Sequence, residues 1–103
     1  MRFYHITKKK NINSIMKLGI LPKYKQGLST YREHTKVFLT NDIEKIIKTQ
    51  GGNEWETGIA IIEVEVEKHE PHTYTCYDPP KYSDFEFIVD KVSVEEIKSI
   101  SYR

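Results

Sequence analysis

The chain has 103 residues, enough for one domain with one core, spanning 1–103, and too few for a second. Sixteen basic and fifteen acidic side chains leave a formal charge of +1, which gives no support to non-specific binding of nucleic acid or membrane. A lone Cys76 rules out an internal disulfide framework and a cysteine-based metal site. There is no secretory pattern at Met1-Arg2-Phe3-Tyr4-His5 and no apolar run near the roughly 20 residues of a membrane span, so the expectation is a soluble, cytoplasmic protein.

Phe3 to Thr7 reads as a strand. Asn11 reads as a helix N-cap, with Ile12, Ile15 and Met16 on one helical face and Gly19 as a left-handed stop. Residues 23 to 35 are polar and without period, a loop marked by Tyr24, Tyr31 and Arg32. Lys36 to Thr40 is a short strand, and Asn41-Asp42-Ile43-Glu44 has capping-box spacing for a helix that turns Ile43, Ile46 and Ile47 inward. Gly51-Gly52 reads as the stop of that helix, and residues 53 to 57 as an exposed connection holding Trp55.

Ile59 to Val66 is the clearest strand, with Ala60, Ile62, Val64 and Val66 inward and Glu63, Glu65 and Glu67 toward solvent. Pro71 to Tyr77 is a further short strand before the Asp78-Pro79-Pro80 turn. Glu86 to Val89 follows, then a second capping box at Ser93-Val94-Glu95-Glu96, and a last strand from Lys98 to Tyr102. The expected class is α+β, a mostly antiparallel, curved or split sheet with two or three short helices.

Three strands each offer one chemical side chain, and together they describe a cleft. Glu86 is the strongest: a carboxylate within an apolar strand costs a few kcal/mol to bury, roughly, unless something compensates it. Beside a sugar it can stabilise an oxocarbenium-like centre; in the plainer reading it is an edge glutamate paired with a lysine. Asp84, two residues earlier, either engages an acceptor or makes the turn at Tyr82-Ser83-Asp84. His5 either hydrogen-bonds a ligand hydroxyl or caps a polar turn, and Thr7 either supports a ligand or starts the turn before Lys8-Lys9-Lys10. Phe38 either stacks on a flat heterocycle or fills the core. The four histidines are too scattered to read as metal ligands, and there is no phosphate-binding glycine loop and no nucleophile elbow.

The ordered set His5-Ile6-Thr7, then Ile15-Met16-Lys17-Leu18-Gly19-Ile20, then Val37-Phe38-Leu39-Thr40, then Phe85-Glu86-Phe87-Ile88-Val89 resembles the ADP-ribosyltransferase-fold superfamily. That superfamily holds toxin and poly(ADP-ribose) polymerase-like catalytic domains and small bacterial or phage domains. The resemblance spans nearly the whole chain. It implies a split antiparallel sheet and NAD as substrate, with no metal. In that scheme His5 would bond the adenosine ribose, the Ile6 backbone would hold the nicotinamide carboxamide and Thr7 would support the ribose. Phe38 would stack on nicotinamide, Arg32 would meet phosphates or acceptor, Glu86 would stabilise the ribosyl cation, and Asp84 would face a protein or nucleic-acid acceptor. The chain departs from the usual pattern in carrying Phe38 where Tyr is commoner and Asp84 where Glu or Gln is. Two other classes are open: a non-catalytic nucleotide- or partner-binding module on the same scaffold, and a small ribonuclease-type toxin using His5 and Glu86 as base and acid, against which the near-neutral charge argues.

Overall fold

In the computed structural model, residues 1–22, 36–51, 58–74 and 77–103 are described. The expectations placed on Tyr24, Tyr31, Arg32, Trp55 and Cys76 fall outside these residues. The strands are β1 (Arg2–Lys8), β2 (Val37–Thr40), β3 (Ile59–Glu65), β4 (Glu70–Tyr74), β5 (Lys81–Val89) and β6 (Ile97–Tyr102). The helices are α1 (Ile12–Leu18) and α2 (Ile43–Ile46), each joined to a short irregular turn, 3-10 before α1 (Lys9–Asn11) and π-type after α2 (Ile47–Gly51). The architecture is α+β: one antiparallel sheet in the order β4-β5-β2-β1-β3-β6.

Alternation along the strands sorts side chains between two faces. On the face covered by α1, Phe3, Val37, Leu39, Ile62, Val64 and Val89 pack with Ile15, Ile20 and Val92 to form the core. Ile12 and Ile15 reach it because they lie three apart on one helical stripe. Val66 joins them just past the end of β3, completing the inward row Ala60, Ile62, Val64 and Val66. Ile59 and Ile61 alternate to the opposite face and are buried as well, so the start of β3 is covered on both sides.

The glutamate face of β3 is more occupied than expected. Arg2, opposite Glu65, forms ion pairs with Glu63 and Glu65, and Ser99 donates to Glu63 at 3.0 Å. These bonds, that of Arg2 foremost, hold the Glu63 carboxyl below the usual carboxylate range.

Local chemistry explains the element boundaries. Gly19 has φ +78° but ψ −170°, a region open to glycine rather than the left-handed helical cap. Beyond it Ile20 exchanges backbone hydrogen bonds with Val92 at 2.8 and 3.0 Å. Asn11 stands at the start of α1 but donates backward to the Thr7 hydroxyl at 2.8 Å instead of capping. α2 is capped by Asp42, whose carboxylate accepts from the Lys45 N–H at 3.1 Å, because the expected cap, Asn41, is turned toward β5. The second capping box forms as read: the Glu96 carboxylate accepts from the Ser93 N–H at 2.9 Å and hydroxyl at 3.0 Å. β5 begins five residues before Glu86, since Lys81 and Tyr82 pair with Tyr74 and Thr73 of β4. No helix of the described residues is long and apolar enough to cross a membrane.

Candidate functional site

β1 pairs with β3 residue by residue from Arg2 to Lys8. With β2, among the described residues, it shares a single register pair, Tyr4 opposite Thr40. Within the one six-stranded sheet, β4-β5-β2 and β1-β3-β6 therefore adjoin where β1 lies beside β2. Toward Thr7 and Val37 no further register pair joins the two strands among the described residues, so backbone groups there call for other partners. His5 supplies one, its Nδ1 lying 2.9 Å from the Phe38 carbonyl oxygen. A carbonyl can only accept, so the proton sits on Nδ1, and in the neutral ring Nε2 is the acceptor nitrogen.

The same junction carries a row of side chains. Glu63 lies opposite Tyr4, Tyr4 opposite Thr40, and Thr40 opposite Glu86. All four project from the face opposite α1. Glu86 is 6% exposed and Thr40 3%. The strand of Glu86 is distorted around it. Pro71 lies opposite Phe87 and Thr73 opposite Tyr82, so two steps along β4 span five along β5. Residues 83–86 form this bulge, a device that re-aims side chains at the margins of sheets and sites. Within it the buried Ser83 hydroxyl accepts from the Phe85 and Glu86 N–H groups at 3.2 and 2.9 Å. The Thr40 hydroxyl donates to the Phe85 carbonyl at 2.6 Å.

The residues singled out from the sequence thus meet in part. His5 and Phe38 meet, but through the His5 ring and the Phe38 backbone. The Phe38 ring is half-buried and lies edge-on to His72, with centroids 5.3 Å apart, rather than in the core. Glu86 shares the Phe38 side of the sheet, whereas His5, one residue on from Tyr4, alternates to the side of Phe3 and Thr7. The three strands adjoin at one junction, but alternation sends His5 and Glu86 to its two sides. Ile6 is paired with Ile61 across β3. The Thr7 hydroxyl is buried and taken up by Asn11. The Asp84 side chain is 88% exposed and 3.8 Å from the Lys45 ammonium; the bulge separates it from the buried setting of Glu86. Arg32 lies outside the described residues.

Sequence reasoning passed over Tyr4, Thr40, Asn41 and Ser83 as members of the site. Their signal is faint: a Thr-Asn-Asp run reads as a helix cap, and a serine before an aspartate reads as a turn. A separate open hollow lies beyond the ends of β3 and β5, lined in part by Glu65, Lys68, Asp90, Lys91 and Glu95, and none of the candidate residues borders it. Among the described residues no group of three or more His, Cys, Asp or Glu side chains is placed to hold a metal ion. Compared with known proteins, the chain matches no family model and no curated sequence.

Proposed function

We propose that this chain is an NAD-dependent ADP-ribosyltransferase-like protein, cleaving the nicotinamide–ribose bond and passing ADP-ribose to a protein or nucleic-acid acceptor. The observation that carries the reading is a buried glutamate set in a strand bulge beside the β1–β2 junction, where one register pair joins the two strands among the described residues. That junction agrees with the split sheet which the resemblance implies. In this scheme the Glu86 carboxylate holds a hydroxyl of the nicotinamide ribose. It stabilises the positive charge that develops at the anomeric carbon as the carbon–nitrogen bond breaks and its electron pair leaves with nicotinamide. An acceptor nucleophile then bonds to that carbon and gives up its proton to solvent. His5 lies on the other side of the junction, where its Nδ1 proton holds the Phe38 carbonyl, and takes no part in this ribose contact. Tyr4, in the row with Glu86 on the opposite side of the sheet from His5, borders the space of the Glu86 carboxylate.

A second reading, the non-catalytic binding module, draws on a different observation. The Thr7 hydroxyl and the Phe38 ring, two of the groups assigned to ligand, already have partners in Asn11 and His72. Incubation with NAD labelled in its adenylate half and a cell lysate, followed by separation of protein from nucleic acid, distinguishes the two. Label carried into either fraction with release of nicotinamide is the expected result. Binding of NAD without transfer or release selects the module, and absence of both binding and release rejects both readings.

A further inference from the structure

The bulge of β5 lacks regular ladder partners on β4, so its backbone groups must be satisfied in another way. Three side chains do this. Ser83 accepts from two successive N–H groups, one of them that of Glu86 itself. The Thr40 hydroxyl gives its single proton to the Phe85 carbonyl at 2.6 Å and accepts from the Asp42 N–H at 3.0 Å. Asn41 donates its side-chain amide to the Asp84 carbonyl and its N–H to the Phe85 carbonyl, both at 3.3 Å. From α2, Lys45 lies with its ammonium 4.4 Å from the centroid of the Phe85 ring. Polar side chains therefore hold the three consecutive residues Asp84, Phe85 and Glu86 by their main chain.

We propose that Thr40, Asn41 and Ser83 form a clamp that sets the backbone of the β5 bulge and thereby aims the Glu86 carboxylate. They act as positioning residues. None is assigned contact with a reacting atom; each acts through the orientation of Glu86. Thr40 has a further consequence. Its hydroxyl joins the entry to α2 to the bulge, so a shift of that helix start is passed to Glu86 through one side chain. The kinetic part of the proposal rests on Glu86 acting as described above, whereas the geometric part does not.

The test uses the whole protein and the variants Thr40→Val, Ser83→Ala and Thr40→Ser, with Ile100→Val as a core change away from the bulge. Hydrogen exchange at the Phe85 and Glu86 amides, the carbon-13 signal of the Glu86 carboxyl group and steady-state nicotinamide release are read on each. Thr40→Val and Ser83→Ala should quicken exchange at those amides about tenfold and move the carboxyl signal. They should lower kcat about 10- to 100-fold, a loss typical of misplaced groups, with KM little changed. Thr40→Ser, which keeps the hydroxyl, should behave as wild type, and Ile100→Val should leave the carboxyl signal in place. Folded Thr40→Val and Ser83→Ala with an unmoved carboxyl signal overturn the clamp, as does an equal shift in Ile100→Val. If the wild type releases no nicotinamide, the enzymatic reading falls, and the carboxyl signal alone decides the clamp: moved supports it, unmoved ends it.

Discussion

At the scale of single residues, two histidines make opposite predictions. His5 spends its Nδ1 proton on the Phe38 carbonyl, in the opening between β1 and β2. His5→Ala should lower stability by about 0.5–1.5 kcal/mol, the net worth of one hydrogen bond, as read by denaturant unfolding. An unchanged stability would show that the Phe38 carbonyl finds another partner. His69 lies edge-on to Phe3 and Phe87, at centroid distances of 4.8 and 5.6 Å, with its Nδ1 buried and without a hydrogen-bond partner among the described residues. A buried polar atom without a partner costs on the order of 1–3 kcal/mol, and a phenyl ring at that position carries no such atom. His69→Phe should therefore raise the melting temperature, and a fall would mean that the His69 ring is held by its polarity.

At the scale of elements, the end of α1 is tightly constrained. A β-carbon on Gly19 would stand 2.1 Å from the Val92 carbonyl oxygen, and the positive φ disfavours any side chain there. Gly19→Ala should cost at least about 2 kcal/mol in denaturant unfolding, and a change well below that would show that the Ile20–Val92 bridge yields easily. On β3, the bonds from Arg2 and then Ser99 lower the Glu63 carboxyl. A carboxyl lowered on folding contributes stability above its unfolded value, about pH 4.3, and loses it as pH falls through the lower folded value. Glu63→Gln should flatten the loss of melting temperature between about pH 5 and pH 3, and the difference from wild type should shrink in high salt. Parallel acid profiles for the two proteins would contradict this.

At the scale of the whole molecule, what was legible in the sequence was what depends on local pattern. Period-two burial in Ala60, Ile62, Val64 and Val66 marks β3, and the Ser93–Glu96 spacing marks the turn into β6. The antiparallel α+β class follows from the same signals. Pairing between distant strands has no such signature. The two-against-five mismatch of β4 and β5 makes the bulge around Glu86, and it appears only when the registers are known. The polar residues Thr40, Asn41 and Ser83 therefore read as caps and turns although they serve that bulge. Alternation likewise places His5 and Glu86 on two sides of the β1–β2 junction, which spacing along the chain does not reveal. In the proposed reaction Glu86 supplies the negative charge for cleavage of NAD. Glu86→Gln keeps shape and an acceptor oxygen but removes the charge. The deciding measurement is nicotinamide release by wild type and Glu86→Gln at matched, saturating NAD, with circular dichroism showing both folded. The predicted result is a loss on the order of 10²- to 10³-fold in rate with NAD binding retained; equal rates in the two proteins would contradict the claim.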